Sequence, residues 1–313
     1  MQLDPKQFAY DLEDALRSVV TVRSLVPEAA FTAETLGTER VGHGAVIDRA
    51  GLVLTIGYLV TEAETIWLAL PDGGAVQAHV AGFDYESGFG LLQTLGPVGV
   101  PALPLGRSED LAVGQQCVLA GGGGMSNAVL QRVVAKQEFA GYWEYVLDEA
   151  VFTAPAHTHW GGTALIDASG AVAGIGSLSV QHASGRGKSV DINMVVPIDL
   201  LPPILDDLLR LGRPRKPPRP WLGLYAIDVD GAVTVSMVVP RGPAAKAGIG
   251  RGDRVVAVGD QLVVRSADFF RAVWQTGEAG ASVPLALDRN GKRVDVAVRS
   301  VDRRSMLLKP RMH

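Results

Sequence analysis

Between Val41 and Val196 the chain is a succession of short apolar runs, each closed by a turn that carries glycine. Gly44-Ala-Val-Ile-Asp-Arg-Ala-Gly51, Trp67-Leu-Ala-Leu-Pro-Asp-Gly-Gly74 and Leu165-Ile-Asp-Ala-Ser-Gly170 are examples. Runs this short leave no room for the crossover helices of a βαβ unit. They predict strands, and many strands in succession predict a barrel or sandwich. The stretches Ile47-Asp-Arg-Ala-Gly51 and Ile166-Asp-Ala-Ser-Gly170 echo each other, as turns of two similar half-domains would.

Helical spacing flanks this region. Phe8, Leu12, Leu16 and Val19 recur at helical intervals and predict a helix over residues 6–21. Asp199 to Leu211 reads as a second helix, with Leu200, Ile204, Leu208 and Leu211 on one face and Gly212 as its stop. Arg213–Pro220 is rich in proline and reads as a stiff linker. A new β pattern starts at Trp221-Leu-Gly-Leu224 and ends in a hairpin across Arg289-Asn-Gly291. Ser266 to Gln275 reads as a helix capped by Ser266. The expected division is 1–212, a linker over 213–220, a second domain over 221–303 and a basic tail over 304–313.

Composition narrows the function classes. The 313 residues carry a formal net charge of -4, which offers no basic face for nucleic acid. The cluster Arg213-Pro-Arg-Lys-Pro-Pro-Arg219 is short and reads as solvated linker. Cys117 is the only cysteine, so no intrachain disulfide forms, and its apolar neighbours imply a buried, inert thiol. The first residues hold acids where a signal peptide needs a basic start. No apolar run approaches the ~20 residues of a membrane span. The expectation is a soluble, cytoplasmic chain.

Three further stretches identify a resemblance. Thr55-Ile-Gly-Tyr58-Leu-Val60, Asp84-Tyr-Glu-Ser-Gly88-Phe-Gly-Leu-Leu92 and His159-Trp160-Gly161-Gly162 resemble the catalytic stretches of HtrA/Deg-type, trypsin-like serine proteases. Val41-Gly-His-Gly-Ala-Val-Ile-Asp48, Gly114-Gln-Gln-Cys-Val-Leu-Ala120 and Asn193-Met-Val-Val-Pro197 resemble other landmarks of that family. Trp221-Leu-Gly-Leu224, Gly242-Pro-Ala-Ala-Lys-Ala-Gly-Ile249 and Gly252-Asp-Arg-Val-Val-Ala-Val258 resemble the family's C-terminal PDZ domain. The resemblance implies an all-β dominated chain, a chymotrypsin-like double β-barrel followed by a PDZ domain (a β sandwich with helices). It also implies oligomers, a homotrimer or a hetero-complex, joined through N-terminal aromatics such as Phe8 and Tyr10. Protein or peptide ligands would bind at Trp221, Leu222, Gly223 and Leu224, with Phe270 and Trp274 on the facing helix.

The resemblance stops at the chemistry. Tyr58 stands in the histidine's slot, Gly88 in the aspartate's and Trp160 in the serine's; read backwards from Leu165, the serine's slot falls on Gly161. A Ser-His-Asp mechanism needs nucleophile, base and orienting carboxylate together. The expectation is therefore a pseudoprotease, not an enzyme, that acts as a peptide- or protein-binding scaffold or regulator without a cofactor. Two alternatives stand beside it. One is a serine endopeptidase using non-standard residues, for which Ser87 and Ser126 are the nearby hydroxyls, each also a good turn residue. The other is a metal-binding protein using His157 and His159, with His43 or His79 approaching from another strand. The run Gly121–Gly124 lacks the lysine and helix of a phosphate loop.

Overall fold

The computed structural model describes residues 3–184 and 188–308. Among the described residues the chain forms two compact units, one within 3–137, 149–215 and Leu308, the other of 138–148 and 216–307.

In the first unit the short runs pair into two closed six-stranded barrels. One contains β1 (Val19–Leu25), β2 (Glu39–Val46), β3 (Leu52–Ile56), β4 (Thr65–Ala69), β5 (Ala75–Phe83) and β6 (Phe89–Thr94). The other contains β7 (Gln116–Ala120), β8 (Ala128–Gly141), β9 (Tyr145–Ala154), β10 (Ala164–Ile166), β11 (Val172–Ser184) and β12 (Lys188–Pro197). Their strand orders, β1-β2-β3-β6-β5-β4 and β7-β8-β9-β12-β11-β10, are the same six-strand circuit. The echoing turns are not equivalent, however: one joins the second and third strands of its barrel, the other the fourth and fifth. The sequence likeness reflects the common demands of a tight turn. Side chains such as Leu54, Leu68, Leu91, Leu119 and Leu165 fill the interiors and are fully buried.

Helices occupy the margins. The N-terminal helix α1 is shorter than its spacing suggests, Leu12–Arg17, because Asp11 caps it by accepting from Asp14 N–H at 3.0 Å. Phe8 lies before it, next to a 3₁₀ turn at Pro5–Gln7. One-turn helices α2 (Ala33–Leu36) and α3 (Gly57–Val60) sit in the first barrel's connections. Helix α4 runs Pro202–Leu211, preceded by a 3₁₀ turn at Ile198–Leu200, and ends at Gly212 with φ 70°. It buries Leu208, and Leu201 just ahead of it is also buried, whereas Leu200 and Leu211 face solvent. Prolines at the first two positions move the helix start, and with it the buried face.

The second unit is a sheet ordered β13 (Leu224–Val229), β14 (Ala232–Val238), β15 (Arg254–Val258), β17 (Ser282–Arg289) and β18 (Lys292–Arg299), with β16 (Gln261–Leu262) paired to β15. Asn290 and Gly291, at φ 56° and 77°, make the expected two-residue turn between β17 and β18. Helix α5 (Pro243–Lys246) and helix α6 (Ser266–Gln275) complete the unit. Phe269 and Phe270 of α6 enter a core shared with Leu222, Leu224, Val235, Val255 and Leu285. The cap on α6 is not Ser266. Asp228 of β13 accepts from Ser266 N–H at 2.6 Å and from its hydroxyl at 3.2 Å. The edge strand β13 is six residues long. Arg303–Met306 form a 3₁₀ turn capped by Asp302, and residues 309–313 of the expected tail lie outside the described residues. Among the described residues no helix is long and apolar enough to cross a membrane.

Candidate functional site

Two places bring the sequence-predicted residues together, one in each unit. In the first unit the three degenerate slots converge. Helix α3 carries Tyr58, and Gly57 N–H donates to Gly88 O at 2.7 Å, which draws the second slot onto the first. Gly88 has φ 85°, a conformation in which an aspartate would be strained, and its N–H closes the turn on Asp84 O at 3.0 Å. The Tyr58 hydroxyl donates to Ser177 O at 2.9 Å. A Cβ at Gly161 would stand 2.6 Å from that hydroxyl, so the phenol fills the space a side chain at residue 161 needs. Tyrosine at 58 and glycine at 161 are one packing solution. Burial raises the Tyr58 phenol well above its ordinary value, while hydrogen bonding from Trp160 pulls the other way, so the ring stays neutral. Trp160 itself is half-buried, and its carbonyl accepts from Thr163 Oγ1 at 2.7 Å. Tyr58→Phe is expected to cost about 1–2 kcal/mol, because it leaves Ser177 O without a buried donor; chemical denaturation of the full chain measures it.

The two hydroxyls near these slots serve turns. Asp84 Oδ2 accepts from Ser87 N–H at 2.8 Å, Ser87 Oγ accepts from Phe89 N–H at 3.3 Å, and Ser126 Oγ donates to Gly123 O at 2.9 Å. Cys117 is buried, and burial pushes its thiol up to about 12.

Histidines line the same region. His43 and His157 have ring centroids 6.4 Å apart, and His157 and His159 6.2 Å. Both ring nitrogens of His157 are used: Nδ1 accepts from His159 N–H at 3.0 Å, leaving Nε2 to donate to Asn127 O at 3.1 Å. His43 Nδ1 accepts from Gly122 N–H at 3.0 Å. Rings whose lone pairs already accept from the main chain are poor ligands, and among the described residues no group of three or more His, Cys, Asp or Glu could hold a metal. His79 lies on β5 of the first barrel.

His43 is 5% exposed, and burial, followed by the charges of His157 and His159, pulls it down to about 4. The sign follows from proton binding. The unfolded ring, near 6.5, takes up a proton that the folded ring refuses, so this stability is complete above about 6.5 and drains away as pH falls toward 4. The expected loss across that window is roughly 3 kcal/mol. Urea midpoints for the chain should fall over this interval, and His43→Gln should flatten the decline; an unchanged slope would contradict this account of His43.

In the second unit the loop before β13 forms the other site. Trp221 N–H is engaged by Val301 O at 3.0 Å, so it faces away from the loop's mouth. The next three amides point together at one carboxylate. Leu222 N–H donates to Glu144 Oε1 at 3.2 Å, Gly223 N–H at 3.0 Å and Leu224 N–H at 3.4 Å. Phe270 is buried and Trp274 half-buried, their rings stacked at 6.2 Å, with the Arg219 guanidinium 4.1 Å above Trp274. Glu144 was beyond sequence reasoning: about 80 residues separate it from the loop, and no local pattern marks it. Phe8 and Tyr10, the candidate interface pair, are half-buried and meet edge-on at 5.5 Å, with Tyr10 packed on the Gly170 turn.

Comparison with known proteins gives these arrangements their context. Residues 42–175 match the trypsin-like peptidase domain and residues 220–299 the PDZ domain. A probable periplasmic serine endoprotease, DegP-like, of Pseudomonas putida (strain W619) is 30% identical over 276 residues, which is 83% of this chain and 55% of that protein. The periplasmic pH-dependent serine endoprotease DegQ of Escherichia coli is 27% identical over 83% of this chain and 59% of its own length. The chain thus spans little more than half the length of these relatives. The solved serine endoprotease from Yersinia pestis has the same fold, with a TM-score of 0.54 at 22% identity over 93% of this chain and 96% of that one. The HtrA-type protease AlgW with a decapeptide gives 0.55 at 21% identity over 96% of this chain and 98% of that one. These findings correct two expectations. The relatives are named serine endoproteases, which overturns the expectation that the chain is not an enzyme. They are named periplasmic, which overturns the cytoplasmic assignment drawn from the first residues.

Proposed function

We propose that this chain, an HtrA/Deg-type protein with a trypsin-like peptidase domain and a PDZ domain, works by recognising the carboxyl termini of proteins or peptides, as a scaffold or regulator. The observation that supports this reading is the convergence of the Leu222, Gly223 and Leu224 amides on one carboxylate beside the edge strand β13. Three N–H groups aimed at one anion, with an edge strand beside them, are what capture of a terminal carboxylate with strand addition requires. The periplasm is the compartment its relatives' names support. A homotrimer or a hetero-complex through Phe8 and Tyr10 belongs to the same reading, and sedimentation velocity of wild type and Phe8→Ala tests it. The recognition itself is tested by fluorescence anisotropy with a labelled peptide bearing a free carboxylate and with its C-terminal amide. Preference for the acid supports the reading; equal binding of both removes it.

A second reading is favoured by the relatives' endoprotease names. Peptide hydrolysis by this chain uses groups other than a Ser-His-Asp set at residues 58, 88 and 160–161, since those positions hold none of the three. Labelling with a fluorophosphonate during casein digestion, followed by mapping of the modified residue, names the nucleophile. Casein left intact by pure, unlabelled protein contradicts this second reading.

A further inference from the structure

The carboxylate held by the loop belongs to the chain itself. Glu144 lies in the turn joining β8 to β9, and this hairpin's far end, residues 138–148, is part of the second unit. Its contact is more than a side-chain hydrogen bond. Leu224 N–H reaches Glu144, and two residues along β13 Ala226 N–H donates to Tyr142 O at 2.9 Å. The step from 224 to 226 is matched by a step from 144 back to 142. One backbone bond and one carboxylate contact thus run in opposite directions along the two segments, the direction of an antiparallel strand added to a sheet edge. β13 is that edge.

We propose that residues 140–146 are an internal ligand of the PDZ groove, with the Glu144 side chain in the place of a peptide's terminal carboxylate, and that carboxyl-terminal peptides bind by displacing it.

Several features converge on this assignment. Val146 belongs to the same apolar cluster as Leu222, Leu224, Phe270 and Val273, so the segment supplies an apolar anchor as well as an anion. The Tyr142 ring lies 5.7 Å from that of Tyr225 on β13. Arg271 of α6 pairs with both Glu138 and Asp148, and Arg265 with Glu138 at 3.0 Å, so both legs of the hairpin are tied to the helix that walls the groove. Glu144 has φ 62°, a left-handed conformation that strains a glutamate and that glycine would adopt freely. A strained glutamate is held here by the three amides its carboxylate accepts from. Burial pushes its carboxyl up to about 7, against the pull of Arg303 and those amides. A docked segment that carries strain and desolvation is one that a better ligand can replace.

The proposal rests on the peptide-recognition reading above, and the test separates the two. The probe is fluorescein-Gly-Ala-Gly-Tyr-Trp-Val, with a free carboxylate or as its amide, titrated against wild type, Glu144→Gly and Glu144→Gln in the full chain. Glu144→Gly removes the carboxylate and relieves the backbone; Glu144→Gln keeps the bulk should glycine loosen the turn. Removing an internal competitor raises apparent affinity by the docked fraction it occupied, here at least about tenfold in Glu144→Gly and in the same direction in Glu144→Gln. The amide should show no gain. Saturating acid probe should also speed amide hydrogen exchange over residues 138–148 of the wild type. Equal affinity in wild type and both variants, with exchange over 138–148 unchanged at saturation, overturns the internal ligand and leaves peptide recognition standing. Binding of acid and amide alike overturns both, as does the absence of binding to any of the three proteins.

Discussion

Gly162→Ala is expected to destabilise the first unit by about 4 kcal/mol or more. Two costs add. Gly162 has φ 78°, where any side chain pays for the left-handed conformation. A Cβ there would also stand 1.9 Å from His43 O and 2.7 Å from Thr55 Oγ1. The first neighbour is backbone, and it cannot swing aside. His43 N–H donates to Gly161 O at 2.8 Å, and Gly162 N–H to Gly176 O at 2.8 Å, so the turn is pinned from both sides. For a unit of this size each kcal/mol lowers Tm by roughly 2–4 °C, giving a fall of about 8–16 °C. Gly73→Ala is the control, since Gly73 has φ 86° with nothing within 4 Å of its Cβ position. It should cost only the conformational part, about 1–2 kcal/mol. Equal shifts in the two variants would mean that the turn at residues 161–162 yields.

Arg40→Leu is the second large expected effect, about 3–5 kcal/mol. Arg40 is 5% exposed and is the hub of the connection that carries Tyr58. Its Nη1 donates to Tyr58 O at 2.8 Å and Thr61 O at 3.0 Å, its Nε to Gly37 O at 3.1 Å and its Nη2 to Thr32 Oγ1 at 2.7 Å. Glu62 continues the network by accepting from Phe31 N–H, Thr32 N–H and the Thr32 hydroxyl. Leucine leaves the carbonyls of Gly37, Tyr58 and Thr61 without donors, and buried acceptors left unsatisfied account for most of the cost. Lysine should not rescue, because one ammonium cannot span acceptors that a planar guanidinium reaches from three nitrogens. Denaturation midpoints decide it; an Arg40→Lys variant within about 1 kcal/mol of wild type would contradict the multidentate role.

What the sequence makes legible here is local. Short glycine-punctuated runs become barrel strands because alternating burial and tight turns are written within ten residues of each other. The Ser266–Gln275 helix and the Asn290-Gly291 turn appear where their own residues place them. The helix over residues 6–21 does not, since Phe8 merely shares a spacing with Leu12 and Leu16, while Pro5 and the Asp11 cap start separate turns. Capping of Ser266 by Asp228 spans 38 residues and leaves no trace in the helix itself. The slots at Tyr58, Gly88 and Trp160 or Gly161 could be read as lacking a triad, but not as packed against each other. The Tyr58 hydroxyl takes the space at Gly161 through contacts between residues about a hundred positions apart, which no local pattern records. Glu144 is the extreme case: its partners are 78 to 80 residues away, and it sits in a turn whose sequence, Tyr142-Trp143-Glu144, carries no binding motif.

The claim on which the functional account turns is that the Leu222–Leu224 amides are a carboxylate receptor. Amide NMR of the deuterated Glu144→Gly chain addresses it residue by residue. Titration with the free-acid peptide should move the resonances of Leu222, Gly223, Leu224 and Ala226 together, toward the downfield positions of charge-assisted hydrogen bonds, while the peptide amide leaves them in place. Acid-dependent shifts that bypass those four amides, or identical shifts with acid and amide, would contradict it.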